Sequence, residues 1–185
     1  MYLVRRLRHF ARRLAPHLRR VFGDLHLDPV RVAADFPRTR ALRPPAGPVD
    51  LSHLDIHWIV PDFHPGAGGH ANIFRMVSHL ESFGHTHTIW IHGTSRYGTG
   101  TAARAAIRRH FTSVDAVVRL LDSPSRVSEI RGDVAMATDR WTAYPLRAVT
   151  GVRARCYFVQ DFEPLFYPMG SEYLLTEETY RFGFA

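Results

Sequence analysis

The sequence contains no lysine and only one cysteine, and both shortages restrict what the protein can be. All 24 basic residues are arginines, set against 17 acidic residues, and the formal net charge at pH 7 is +7. Genomic base composition explains this bias as well as a need for bidentate phosphate contacts does. Cys156 lies in the apolar run "CYFV" with no second cysteine to pair with, so an internal disulfide is excluded and a reducing compartment is expected.

Long apolar runs are absent as well. No stretch approaches the roughly 18 consecutive apolar residues of a membrane-spanning helix, so the chain is not expected to cross a bilayer. With 185 residues and 45% hydrophobic content, it suits one globular domain with extensions. The expected location is the cytoplasm. Peripheral attachment to the inner face of the cell membrane is left open as a further possibility.

The first 22 residues follow a basic amphipathic pattern. Apolar residues recur there at intervals of three and four with arginines between them, namely Leu3, Leu7, Phe10, Leu14, Leu18 and Val21. This pattern predicts a helix, and residues 1–36 are assigned to a helical extension. Three interpretations stay open: attachment to an anionic membrane surface, packing on this or a partner protein, and contact with nucleic acid. No recognisable nucleic-acid module is present, so a nucleic-acid partner is not expected.

Residues 37–50, "PRTRALRPPAGPVD", contain four prolines and predict a linker. The compact domain is assigned to residues 51–163. Strands are predicted in it at 54–60, 87–92, 116–121, 133–138 and 155–160, and helices at 70–83, 101–111 and 141–149. This alternation predicts an α/β, Rossmann-like fold with a mostly parallel sheet.

A glycine-rich loop connects the first predicted strand to the first predicted helix. It contains Gly66, Gly68 and Gly69, and His70 follows in the first helical turn. Open α/β sheets bind ligands at the carboxyl ends of their strands, and a helix N-terminus there attracts anions. The spacing matches neither the dinucleotide fingerprint nor the phosphate loop that ends in lysine and serine or threonine. A tight structural turn therefore remains an alternative to an anion site.

Polar and aromatic residues follow the fourth and fifth predicted strands. Asp139, Trp141 and Tyr144 come after the fourth, and Asp161 and Glu163 come after the fifth. Because these strand ends meet at one edge of the sheet, the residues are expected to share a crevice with the glycine loop. Each also has a structural alternative: Asp139 as a helix cap, Trp141 as core and Asp161 as part of a turn.

The histidines around the second predicted strand raise the question of a metal site. His85 and His87 share one face of that strand, and His92 lies at its end. A zinc site needs three or four ligands, and no cysteine or carboxylate joins these histidines at a suitable spacing. No metal is expected.

Three stretches together carry a resemblance to a known family. They are "DIHWIVPDFHPGAGGHANIFRMVSHLESFGHTHTIWIH", "VAMATDRWTAY" and "CYFVQDFEPLFYPMGSEYLLTEETYRFGF". In this order they resemble the N-terminal half of retaining GT-B glycosyltransferases, and most closely bacterial rhamnosyltransferases that extend cell-surface glycans. The resemblance covers residues 54–185. It implies an N-terminal domain that holds mainly the acceptor and a C-terminal domain that holds the nucleotide-sugar donor.

The resemblance also implies a donor site at the glycine loop. Gly66, Gly68 and Gly69 would allow close backbone approach of the donor diphosphate, and His70 would lie near the phosphates or near the acceptor. By analogy the donor is dTDP-L-rhamnose and the acceptor a glycan, and neither a metal nor any other cofactor is required.

On the acceptor side, the resemblance assigns Asp139, Trp141 and Tyr144 to the acceptor pocket, and Asp161 and Glu163 to the floor of the cleft. The catalytic candidates are His70, Asp139, Asp161 and Glu163. Residues 164–185 are predicted to begin the connection to the second domain, which would be supplied in the same polypeptide or as a separate chain. The alternative is a non-catalytic module that docks on a membrane or a partner.

Overall fold

The fold is a five-stranded sheet with helices on both faces. The computed structural model describes residues 29–185, so the basic amphipathic pattern of residues 1–22 lies outside the described residues. The strands are β1 Asp55–Pro61, β2 Thr86–His92, β3 Val117–Leu121, β4 Arg131–Ala137 and β5 Gly151–Tyr157. The helices are α1 Pro29–Asp35, α2 Gly68–Ser82, α3 Gly100–His110, α4 Arg140–Leu146 and α5 Ser171–Thr179, with short 3-10 helices at Pro124–Glu129 and Glu163–Phe166.

All neighbouring strands are parallel, in the order β3-β2-β1-β4-β5. This confirms the predicted α/β, Rossmann-like fold. The chain runs outward from β1 to β3 and then returns to the other side of β1 with β4. The carboxyl ends of β1 and β4 therefore flank the point where the strand order reverses, and ligand crevices form at such points in open α/β sheets.

Two hydrophobic cores cover the two faces of the sheet. One core includes Ile73, Phe74 and Val77, which lie on the buried face of α2. The other includes Phe36, just after α1, and Tyr144 of α4. The apolar residues that recur at helical spacing in the sequence of α2 thus lie on the face that this helix buries.

Two histidine–tryptophan pairs connect β1 and β2. The indole Nε1 of Trp58 donates to Nδ1 of His87 at 3.0 Å, and that of Trp90 donates to Nδ1 of His57 at 3.0 Å. His85 also has a partner, since its Nδ1 accepts a hydrogen bond from the backbone N–H of Leu54. These histidines act as structural hydrogen-bond partners. In the described part of the chain, no group of three histidines, cysteines or carboxylates is arranged to hold a metal ion.

Replacing His92 with leucine is expected to flatten the pH dependence of stability. Burial lowers the pKa of His92 from 6.5 to about 4, so the folded chain keeps this ring neutral. The unfolded chain binds a proton below about 6.5, and stability is therefore lost as the pH falls from about 6.5 towards 4. Urea unfolding at several pH values should show a slope reduced by up to about 1.4 kcal/mol per pH unit. An equal loss of slope in the exposed His79→Leu variant would contradict this assignment.

The proline-rich segment of residues 37–50 is fastened to the domain. The N–H of Arg40 donates to the carbonyl of Arg147 at 2.9 Å, and the N–H of Arg43 donates to the carbonyl of Thr150 at 2.7 Å. The segment forms neither a helix nor a strand. It lies alongside the residues that connect α4 to β5, to which it is hydrogen-bonded.

Residues 164–185 also pack on this domain. The ring of Phe182 contacts that of Tyr144 edge to face, and Ala185 exchanges backbone hydrogen bonds with Arg155 and Tyr157 on the outer edge of β5. Within residues 29–185, no helix combines the length and apolar character of a membrane span.

Candidate functional site

A cavity of about 350 Å³ lies at the carboxyl edge of the sheet, where the strand order reverses. Five of its wall residues are predicted site residues: Gly69, His70, Asp139, Asp161 and Glu163. The others are Pro61, Ile73, Thr138, Gln160 and Phe166. The structure therefore brings the end of the glycine loop together with the carboxylates that follow β4 and β5.

The glycine loop forms a turn followed directly by helix α2. Gly66 has a φ of +87°, in the left-handed region that favours glycine. The turn before α2 therefore requires glycine at this position. Gly68 and Gly69 are the first two residues of α2. A Cβ added to Gly69 would lie 3.5 Å from Nε2 of Gln160. A Cβ would therefore make ordinary van der Waals contact there, whereas a larger side chain would enter the space between α2 and the segment after β5.

His70 is held by the end of β1. Its Nε2 lies 3.2 Å from the carbonyl oxygen of Pro61, and its ring packs near Phe63. Burial lowers the pKa of His70, which favours the neutral ring. When Nε2–H donates to this carbonyl, neutral Nδ1 keeps a lone pair that accepts a hydrogen bond. In this state His70 is suited to a hydroxyl group, whereas donation to a phosphate from Nδ1 would require protonation.

Asp139 both caps a helix and lines the cavity. Its Oδ1 accepts a hydrogen bond from the N–H of Thr142 at 2.8 Å, and the Thr142 hydroxyl accepts one from the N–H of Asp139 at 3.0 Å. The capping role considered from the sequence is confirmed. Burial raises the pKa of Asp139. The cap also fixes the direction of the carboxylate.

Glu163 lies close to Asp139 in the same wall. Its Oε2 accepts a hydrogen bond from the backbone N–H of Arg140 at 2.9 Å. Burial, and secondarily the charge of Asp139, raise the pKa of Glu163 to about 7. Near neutral pH, Glu163 can therefore both accept and donate a proton.

Asp161 is the exposed carboxylate of the wall. Its Oδ1 accepts a hydrogen bond from the N–H of Phe162 at 2.7 Å, and its carbonyl accepts one from the Tyr180 hydroxyl at 2.8 Å. The first bond is local and the second joins Asp161 to a residue 19 positions later, so the turn considered from the sequence stays a prediction.

Replacing Glu163 with glutamine is expected to increase stability at alkaline pH relative to acidic pH. The folded pKa of about 7 exceeds the ordinary 4.5, so the unfolded chain loses this proton first and stability falls as the pH rises from about 4.5 through 7. Glutamine does not ionise, and its carbonyl can still accept the bond from Arg140. Urea unfolding at pH 4.5 and 8 should show a relative gain on the order of 2 kcal/mol at the higher pH. A pH dependence identical to that of the unaltered chain would refute the raised pKa.

Arg140 links the site to the C-terminal helix. Its guanidinium carbon lies 3.8 Å from the ring centre of Trp141 and 3.4 Å from that of Tyr167. It also donates to the hydroxyl of Thr176 at 3.1 Å, and it lies 3.5 Å from the carboxylate of Glu172. This buried arginine therefore fastens α4 to α5.

Two predicted acceptor contacts lie outside the cavity wall. Trp141 is partly buried and packs against the core. Tyr144 is buried, and its hydroxyl donates to the carbonyl of Leu175 at 2.9 Å; burial raises its pKa to about 12. The core alternative for Trp141 thus matches the structure. Contact of either residue with an acceptor stays a prediction.

Sequence reasoning did not select Thr138 and Phe166, which also line the cavity. Thr138 follows β4 directly, and its hydroxyl donates to the carbonyl of Ile59 at 3.0 Å. Its position at the end of a predicted strand is the sequence feature that could have identified it as a cavity residue. Phe166 is exposed at the end of a 3-10 helix, and no periodic pattern marks it.

Fold and cavity together define an open α/β protein with a cavity at the carboxyl ends of its strands, where such proteins bind ligands. The model of the family "WsaF, N-terminal domain" matches residues 110–184. This range contains the carboxylates of the site but not the glycine loop.

The chain is also similar to the O-antigen biosynthesis protein RfbC of Myxococcus xanthus. The two are 35% identical over 132 residues, which cover 69% of this chain and 10% of that protein. The chain thus matches about a tenth of the length of this relative. No solved structure matches the chain significantly.

Proposed function

We propose that this chain is the acceptor-side domain of a glycosyltransferase in cell-surface glycan assembly. The two sequence matches support a glycosyltransferase-like protein of glycan biosynthesis. The proposal goes further to a retaining GT-B enzyme that uses dTDP-L-rhamnose, as the resemblance of residues 54–185 implies. The observation that carries it is the cavity in which the first turn of α2 meets three carboxylates.

The carboxylate side of the cavity suits a sugar acceptor. Asp139, Asp161 and Glu163 offer oxygens that accept hydrogen bonds from hydroxyl groups. Neutral His70 can accept another, and among the described residues no arginine lines the wall. A neutral ligand rich in hydroxyl groups fits such a wall better than an anion does.

The glycine side suits the donor diphosphate. The first backbone N–H groups of α2 have no partner within the helix, and the helix dipole places partial positive charge there. Gly68 and Gly69 expose this end of α2. Since no arginine lines the described wall, most neutralisation of the diphosphate is assigned to a donor-binding domain outside this chain.

The proposed reaction moves one sugar and one proton. The bond from the anomeric carbon to the diphosphate oxygen breaks, a bond from that carbon to an acceptor oxygen forms, and the acceptor hydroxyl loses its proton. Glu163, with a pKa of about 7, is placed to hold this proton or to orient the hydroxyl. Asp139, held by its cap, would fix the sugar ring.

A binding experiment on the chain itself tests the assignment of the carboxylates to the acceptor and of the glycine loop to the donor. Titration with a rhamnose-containing oligosaccharide should shift the NMR signals of Asp139 and Glu163, and dTDP-L-rhamnose should shift the amide signals of Gly68 and Gly69. Asp139→Asn should weaken oligosaccharide binding about tenfold, as expected for a lost charge-assisted bond of roughly 1.4 kcal/mol. Glu129→Gln, an exposed change away from the cavity, is the control. Absence of shifts at both sets of residues would contradict the proposal.

A further inference from the structure

Exposed apolar side chains are concentrated in the segment that follows strand β5. Of the twelve large apolar residues that are exposed among residues 31–185, for which burial is described, six fall within residues 159–174. They are Val159, Phe162, Leu165, Phe166, Met169 and Leu174, and we call this set the C-terminal face. Leu165 and Met169 are 73% and 78% exposed. The 3-10 helix Glu163–Phe166 packs directly against α5, which carries Leu174, so these residues belong to one packed unit. Such clustering is typical of interaction sites.

The same segment is strongly acidic. Residues 157–180 contain five acidic residues and no arginine, although the whole chain has a formal net charge of +7. The five are Asp161, Glu163, Glu172, Glu177 and Glu178. Glu172 pairs with Arg140 and Glu177 pairs with Arg181. Asp161 and Glu178 are exposed. A partner for this face should therefore combine apolar side chains with positive charge.

Residues 1–22 have this composition. They contain seven arginines and no acidic residue, and their apolar residues recur at helical spacing. The described chain enters the domain through α1, which packs against α4 and α5. Residues 23–28 span up to about 20 Å when extended, and α1, which follows them, contacts α5, the helix that carries Leu174.

We propose that residues 1–22 of the same chain dock on the C-terminal face, with their apolar stripe on the exposed apolar residues and their arginines towards the acidic ones. The proposal is independent of the function proposed above. Because Glu163 and Phe166 belong both to this segment and to the cavity wall, the docked residues would lie beside the mouth of the cavity. Docking would also compete with binding of residues 1–22 to an anionic membrane.

Site-specific photo-crosslinking in the full 185-residue chain tests the proposal. Benzoylphenylalanine in place of Leu165 should crosslink to residues 1–22, as mapped by peptide mass spectrometry on the monomer band. The matched control is the same replacement at Leu51, which is 74% exposed against 73% for Leu165. Leu51 precedes β1, at the opposite edge of the sheet. We expect at least a fivefold higher yield from position 165.

Charge reversal provides a second readout. Glu178→Arg, combined with the crosslinker at position 165, should lower the yield at least threefold, and added salt should do the same. Circular dichroism would show that each variant is folded. Equal yields from positions 165 and 51, or crosslinks from position 165 found only in a dimer band, would overturn the proposal. The second result would assign the face to a second copy of the chain.

Discussion

Replacing Gly69 with valine is expected to lower sugar transfer by the native protein at least about 100-fold while the domain stays folded. The added Cβ would lie 3.5 Å from the Gln160 amide, and the two methyl groups would fill the gap between α2 and the segment after β5. Gly69 lies in α2 and has no positive φ, so its backbone tolerates a side chain. Gly69→Ala, which adds only the Cβ, should cause a much smaller loss.

A valine introduced away from the cavity shows whether the loss of transfer comes from the glycine loop or from a general loss of stability. Ala105→Val adds a β-branched residue at an exposed position of α3 and should leave transfer unchanged. Thermal unfolding should place both variants within about 1 kcal/mol of the unaltered protein. Unchanged kcat and KM in Gly69→Val would refute the assignment of the glycine loop to the donor.

Replacing Arg140 with methionine is expected to cost about 2 kcal/mol of unfolding free energy, from the lost stacking and the lost hydrogen bond. The methionine would keep much of the packing but lose the stacking on Trp141 and Tyr167, and it would leave Thr176 and Glu172 without their donor. Urea unfolding followed by tryptophan fluorescence measures this loss.

Arg181, an exposed arginine just after α5, serves as the control for Arg140. Arg181 pairs with Glu177 on the surface, and its side chain is 68% exposed. Arg181→Met should therefore cost less than about 0.5 kcal/mol. Equal losses in the two variants would show that Arg140 does not fasten α4 to α5.

The sequence predicted the sheet because strand and helix periods alternate clearly from residue 54 onward. It also predicted the edge at which Gly69, Asp139 and Glu163 meet, since the carboxyl ends of parallel strands share one edge. Strand ends do not tell which side chains of the following helix face the ligand. Tyr144 lies in the core because α5 covers it, and the carbonyl of Leu175, 31 positions later in the chain, accepts its hydrogen bond.

Long-range contacts also explain the differences in the connecting segments. Four prolines predict that residues 37–50 form a linker, and the structure adds that Arg40 and Arg43 of this segment donate to backbone carbonyls that follow α4. Likewise, the pKa of Glu163 depends on its burial beside Asp139, twenty-four positions earlier in the chain. Local sequence patterns contain neither kind of information.

The most direct test of the central claim is a transfer assay on the native protein purified from its source cells. The protein would be incubated with dTDP-L-rhamnose, other nucleotide sugars and cell-surface glycan fragments, and the products would be weighed by mass spectrometry. We predict addition of one deoxyhexose from dTDP-L-rhamnose to a glycan fragment, and loss of this product in Asp139→Asn. Absence of transfer from every nucleotide sugar by a folded protein that still binds the glycan would contradict the claim and favour a non-catalytic binding module.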